Sequence, residues 1–225
     1  MKKAIFLLPF LLTCSFFIIG CSNNYSLAND NISEIRRELY EGNTEDLSAS
    51  YICGERESEY LMDGNSTPLT EFGVITFYPE TESAETPNFI LTIDDQIFSG
   101  TLEQNPFDRS YVADIEKCLS GTIITAVFIS GDISTTIELQ KINTDWEITA
   151  EKALEITCDK MGSDFNNFID GENFSGECYI KIVHDSSLSS DSYYWYVNII
   201  NAEEQSFSAI IDPFSGDLLA KKSIT

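Results

Sequence analysis

At 225 residues, 43% of them hydrophobic, the chain is long enough to bury one large core or two ordinary ones and too apolar to remain unfolded. Thirteen Lys and Arg against 37 Asp and Glu give a formal charge of -24, which excludes nucleic acid as a partner because phosphate binding needs clustered cations. The single histidine, His184, excludes chemistry that needs several imidazoles, such as a two-histidine zinc motif.

The chain opens with an export signal. Lys2 and Lys3 form a positive start, and residues 4–20 are an apolar run broken only by Pro9, Thr13 and Ser15. That is the length of a signal core and too short for a permanent membrane span. The run ends in Ile18-Ile19-Gly20-Cys21, followed by the polar Ser22-Asn23-Asn24. This stretch resembles the lipobox of bacterial lipoproteins, in which branched aliphatic and small residues lead into an acylated cysteine. The resemblance implies that residues 1–20 are removed and that Cys21 is the first mature residue, lipidated on its thiol and its amine. Several acyl chains exceed what stable membrane residence needs. The rest of the chain would then be extracytoplasmic and anchored to the membrane, as it would be if the signal stayed uncleaved. Loss of Lys2 and Lys3 with no acid makes the remaining body more acidic still, so it is expected to stand off anionic lipid rather than lie on it.

Residues 21–31 are small and polar and are expected to form a tether. Asn31 and Glu34 then read as a capping box, Ile32, Ile35 and Leu39 recur at helical spacing, and Gly42 is a stop signal. This predicts a short amphipathic helix over about 32–41. Beyond residue 47 the period changes to two, predicting strands over 49–55, 73–78, 89–93, 97–102, 111–115, 123–129 and 133–141. Asp94-Asp95-Gln96 and Ser130-Gly131-Asp132 are turn-type breaks between runs of matching length, hence two hairpins. Closely spaced strands with no intervening helix predict a sandwich or small barrel over residues 32–144.

Past Trp146 the pattern changes again. Thr149 is placed to cap a helix over 150–161, closed by Gly162, with Ala150, Ala153, Leu154, Thr157, Cys158 and Met161 on one stripe. Strands follow at 176–183, 193–200, 207–212 and 218–223. The expected fold class is therefore α+β: a mainly antiparallel β domain over 32–144, then a second unit over 147–225 with one helix packed on an antiparallel sheet.

Three segments of the second unit, WEITAEKALEI, YYWYVNII and AIIDPFSGDLL, resemble the PepSY domain family over about residues 147–225. In the last of them the Asp212 carboxylate can cap the turn's N–H groups, Pro213 pre-sets φ and Gly216 takes positive φ. The resemblance implies a non-catalytic domain of secreted or membrane proteins, with an inhibitory or peptidase-regulating role.

Cys14 leaves with the signal, and four thiols remain besides Cys21. Exported thiols pair, and four allow three pairings. The division into two units favours Cys53 with Cys118 and Cys158 with Cys178; two buried free thiols are the alternative for the second pair. His184, Asp185 and Ser186 suggest a hydrolase triad, but neighbours on a strand point to opposite faces and cannot orient one another. Asn166, Asp170, Gly171 and Glu177 fit part of a calcium-loop template, yet Phe168 stands where an oxygen ligand belongs. No metal, cofactor or catalytic residue is assigned. The acids Glu55, Glu57, Glu59, Glu80, Glu82 and Glu85 read as a solvated face. Tyr193, Tyr194, Trp195 and Tyr196 place aromatics on both faces of one strand, so one face packs under the helix and the other is a candidate binding surface. The expected function is that of a non-enzymatic, lipid-anchored binding protein, with a secreted peptidase as the partner that the resemblance implies. The alternative is a structural or adhesive envelope component that binds a wall polymer or a surface protein.

Overall fold

The computed structural model describes residues 21–58, 61, 63–83, 85–94, 96–171, 173–184 and 192–224. Residues 1–20, read from the sequence as an export signal, and Glu59, Asp185 and Ser186 lie outside the described residues. The chain forms α1 (Cys21–Asn29), β1 (Ile32–Asn43), β2 (Leu47–Glu57), β3 (Leu69–Pro79), β4 (Asn88–Ile93), β5 (Gln96–Thr101), β6 (Glu103–Gln104), β7 (Tyr111–Ile115), β8 (Ile123–Ser130) and β9 (Ile133–Lys141). There follow α2 (Ala150–Lys160), α3 (Gly162–Phe165), a 3-10 turn (Asn166–Phe168), β10 (Ile169–Asp170), β11 (Asn173–Phe174), β12 (Gly176–His184), β13 (Tyr193–Asn201), β14 (Ser206–Ile211) and β15 (Leu218–Lys222).

The α+β expectation is overturned. Among the described residues the structure is mainly antiparallel β with three short helices, and one sheet of 13 strands runs through both halves of the chain. Its path β5-β4-β8-β9-β1-β2-β3-β7-β6 curls into a nearly closed barrel, and β12 to β15 extend the same sheet from the start of β1, along the edge that β9 pairs further on. The strands and both hairpins expected from the period-two pattern are present, as is the helix capped by Thr149, whose side chain accepts from the Lys152 N–H. What was misjudged is how they combine. Strand period reports which face is buried but not which strand is the neighbour.

The reason is β1. Residues 32–41 were expected to be helical, and they are extended. Ile32, Glu34 and Ile35 pair parallel with Cys178, Tyr179 and Ile180, while the whole strand pairs antiparallel with β2 and its end pairs antiparallel with β9 through Tyr40 and Glu41. Register shifts between Ile32 and Glu34, and between Arg36 and Glu38, each insert an extra residue. The first bulge brings Ile32 and Ile35, three positions apart, to a common side, which a regular strand cannot do. Ile32, Ile35 and Leu39 all border the helix-side core, and their spacing mimics a helix. The expected tether is likewise structured: α1 begins at Cys21 and packs Tyr25, Leu27 and Ala28 against that core.

Two cores result. The barrel encloses Tyr40, Tyr51, Phe77, Leu91, Ile124 and Leu139, with Tyr51 accepting from the Leu119 N–H at 3.0 Å and donating to the Lys117 carbonyl at 3.1 Å. Burial pushes the Tyr51 phenol up to about 12. The second core lies between the helices and β12 to β14; it holds the predicted stripe of α2 together with Cys178, Ile180, Trp195, Val197 and Phe207. Gly54 sits where β1 and β2 cross: a Cβ there would lie 1.9 Å from the Ile35 carbonyl oxygen.

Cys53 and Cys118 are bridged, tying β2 to the loop before β8. The expected bridge between Cys158 and Cys178 is not made; both are buried free thiols in the second core. Burial pushes the Cys158 thiol up to about 12 and Cys178 well above its ordinary value, which keeps both in the unreactive thiol form. Site-resolved alkylation of the folded protein should leave Cys158 and Cys178 unlabelled and label both after denaturation. Reduction of the Cys53–Cys118 bridge should lower unfolding free energy by about 2–4 kcal/mol, and Gly54→Ala should cost about 1–3 kcal/mol, both measured by denaturant titration.

Candidate functional site

The residues that line one surface groove come from four separate places in the chain. Glu41 is supplied by the end of β1, Ile142 and Trp146 by the segment joining β9 to α2, Tyr193 and Tyr194 by the start of β13, and Asp212 to Phe214 by the turn between β14 and β15. The groove is open to solvent and has a volume of about 640 Å³.

Backbone bonds hold the joining segment in place. The Ile142 N–H donates to the Leu39 carbonyl at 2.9 Å, and the N–H groups of Glu147 and Ile148 donate to the Pro213 carbonyl at 3.1 and 2.9 Å. The Asn143 side chain donates to the Arg37 carbonyl at 2.8 Å, gripping β1 at its bulge. Trp195, buried beneath α2, donates its indole N–H to the Ile148 carbonyl at 2.7 Å and meets Trp146 edge-on, with ring centroids 4.9 Å apart. Trp146 is thus braced by the core at one side and half-exposed to the groove at the other.

Two carboxylates face the same space, and among the described residues no basic side chain lines it. The Tyr193 hydroxyl donates to Glu41 Oε2. Asp212 Oδ1 accepts from the Phe214 N–H at 2.9 Å, the Ser215 N–H at 2.8 Å and the Ser215 hydroxyl at 3.2 Å. The Ser215 and Phe214 N–H groups hold the Asp212 carboxyl below the usual carboxylate range. Gly216 closes this turn at φ +74°, as the sequence pattern requires.

Of the aromatic strand singled out in the sequence, Tyr193 and Tyr194 line the groove, Trp195 is core, and Tyr196 lies half-buried between Lys181 and Ile210 on the sheet without reaching the groove. Glu41, Ile142, Trp146 and Phe214 were not foreseen as site residues. Glu41 fell in a segment expected to be helical. A tryptophan between two elements and a 55%-exposed phenylalanine in a turn were the available signals for the others.

Other candidates dissolve. His184 is exposed at the end of β12, with its ring 4.8 Å from that of Tyr193. Phe168 is buried, Glu177 is 0% exposed, and among the described residues no group of acids, His or Cys is arranged to hold a metal. Glu57 is not part of a solvated face: it is buried, and its Oε1 takes the Thr67 N–H and lies 3.2 Å from Ser33 Oγ. Ser33 also stands 2.8 Å from Glu177 Oε2, while the Gly64 N–H donates to Glu177 Oε1 at 3.1 Å. This knot fastens the loop between β2 and β3 across β1 and β12. Nearby Glu34, 2% exposed, is compensated by Arg36 and Lys181, each at 2.7 Å.

Comparison of the chain with protein-family models, curated proteins and solved structures finds no match.

Because the folded state depresses the Asp212 carboxyl, its stabilising effect is present above the unfolded carboxylate value of about 3.9 and is lost as pH falls through the lower folded value. Acid unfolding of the wild type between about pH 5 and pH 2 should therefore include a small component, limited by solvent exposure, that Asp212→Asn lacks. Thermal melts across that range check it.

Proposed function

We propose that this chain is a non-enzymatic, extracytoplasmic binding protein, anchored by lipid on Cys21, and that the groove between β1, β13 and the 212–217 turn is where it takes its partner. The observation that carries this reading is convergence: four aromatic side chains, Trp146, Tyr193, Tyr194 and Phe214, drawn from three separate segments, meet beside two carboxylates in one open groove. Aromatic side chains at a surface concavity supply contact area at low entropic cost, and a few polar groups set orientation. The Cys53–Cys118 bridge fits a chain that folds in an oxidising compartment. The lipobox-like ending of the apolar run supports the anchor, and the resemblance of residues 147–225 to the PepSY family supports a secreted peptidase as the partner restrained.

Two measurements test this. In a bacterial host the full chain should fractionate with membranes and carry acyl mass on Cys21, and Cys21→Ala should lose both. The purified body should slow cleavage by a thermolysin-type secreted peptidase, and Trp146→Ala, with its fold verified by circular dichroism, should lose at least about tenfold in potency. No effect on peptidases combined with retention by peptidoglycan would replace this reading with the adhesive one.

A further inference from the structure

We infer that the groove's occupant is a cationic side chain, a lysine or arginine carried on a basic segment of the partner protein. This rests on the groove being the binding site and names the chemistry that it takes.

The charge balance of the groove points one way. Among the described residues, its titratable wall groups apart from the two tyrosines are Glu41 and Asp212, both acidic. Asp212 stays ionised because the turn's own N–H groups bond its carboxylate, and all three of those bonds end on Oδ1, which leaves Oδ2 for a ligand. Glu41 is held in place through Oε2 by the Tyr193 hydroxyl, so a second carboxylate is preset rather than recruited. An anionic ligand would meet two negative charges with no compensating cation. A neutral apolar ligand would leave both carboxylates desolvated and unpaired, which is costly. A cation satisfies them and also gains from the aromatic walls, since ammonium and guanidinium groups are attracted to ring faces. Arginine and lysine side chains additionally lay an apolar stem along such walls. The volume of about 640 Å³ suits one or two side chains rather than a folded domain. A chain of net charge -24 draws basic partners towards it and repels acidic ones before contact is made.

The chain has two tryptophans, Trp195 in the core and Trp146 in the groove, so indole fluorescence reports occupancy directly. The full chain would be titrated with a lysine- and arginine-rich decapeptide, with the same peptide carrying glutamate at every basic position, and with soluble peptidoglycan fragments. The basic peptide should change Trp146 emission saturably and the acidic one should not. Glu41→Gln should weaken the basic peptide about tenfold, while Glu80→Gln with Glu82→Gln, in the loop after β3 and outside the groove lining, should leave it unchanged. Equal weakening by both sets of variants would mean diffuse attraction to an acidic surface and would overturn the inference. So would saturable binding of the peptidoglycan fragments that Glu41→Gln does not weaken. If Trp146→Ala abolishes peptidase inhibition but the basic peptide does not bind, the groove stands as the functional site and the cationic occupant falls.

Discussion

The architecture depends on one strand serving two cores. The first half of β1 pairs with β12 and faces the helices, and its second half pairs with β9 and turns Tyr40 into the barrel, while β2 accompanies it throughout. Two bulges fall between Ile32 and Glu38 of this strand and bend it between the two cores. Gly54 on β2 is the matching concession, since no side chain fits against the Ile35 carbonyl at the crossing. The barrel and the helix-covered sheet are thereby joined through backbone hydrogen bonds rather than through a linker.

The polar chemistry gathers at the same crossing. Ser33, at the first bulge, contacts Glu57 and Glu177, and Arg37, at the second, pairs with Glu55 and Glu151. Bulged residues have backbone groups without a ladder partner, and the Asn143 amide takes up the Arg37 carbonyl for this reason. That bond fixes where the segment between β9 and α2 leaves the barrel. Trp146 is then placed over Trp195, and the Pro213 carbonyl secures the next two residues. The groove is therefore a consequence of the bulged strand: Glu41 continues it, and Trp146 is positioned from it.

Much of the local structure was legible in the residues. Alternation marked the strands, Thr149 marked the start of α2, and Asp212 with Gly216 marked the last turn, because each rests on bonds within a few residues. The burial of Cys158 and Cys178 in one core followed from helix and strand periodicity. Misreadings arose where long-range contacts decided the outcome. Ile32, Ile35 and Leu39 have helical spacing, yet β2 and β12 bind them as a strand, and tertiary pairing outweighs the weak propensity of a ten-residue segment. Glu57 looked like its acidic neighbours in composition and was separated from them only by Ser33 and the backbone of Thr67.

By itself, the sequence determined the charge, the positions of most strands, the α2 helix and the turn that orients Asp212, since all of these depend on composition or on neighbours along the chain. Only the tertiary structure decided that the sheet is continuous, that β1 belongs to both cores, and that Glu41, Trp146, Tyr193 and Phe214 share a groove. These residues are separated by up to 173 positions between Glu41 and Phe214, and no periodicity encodes a meeting at that range. It comes from the pairing of strands, which is set by the burial of whole faces rather than by any local signal.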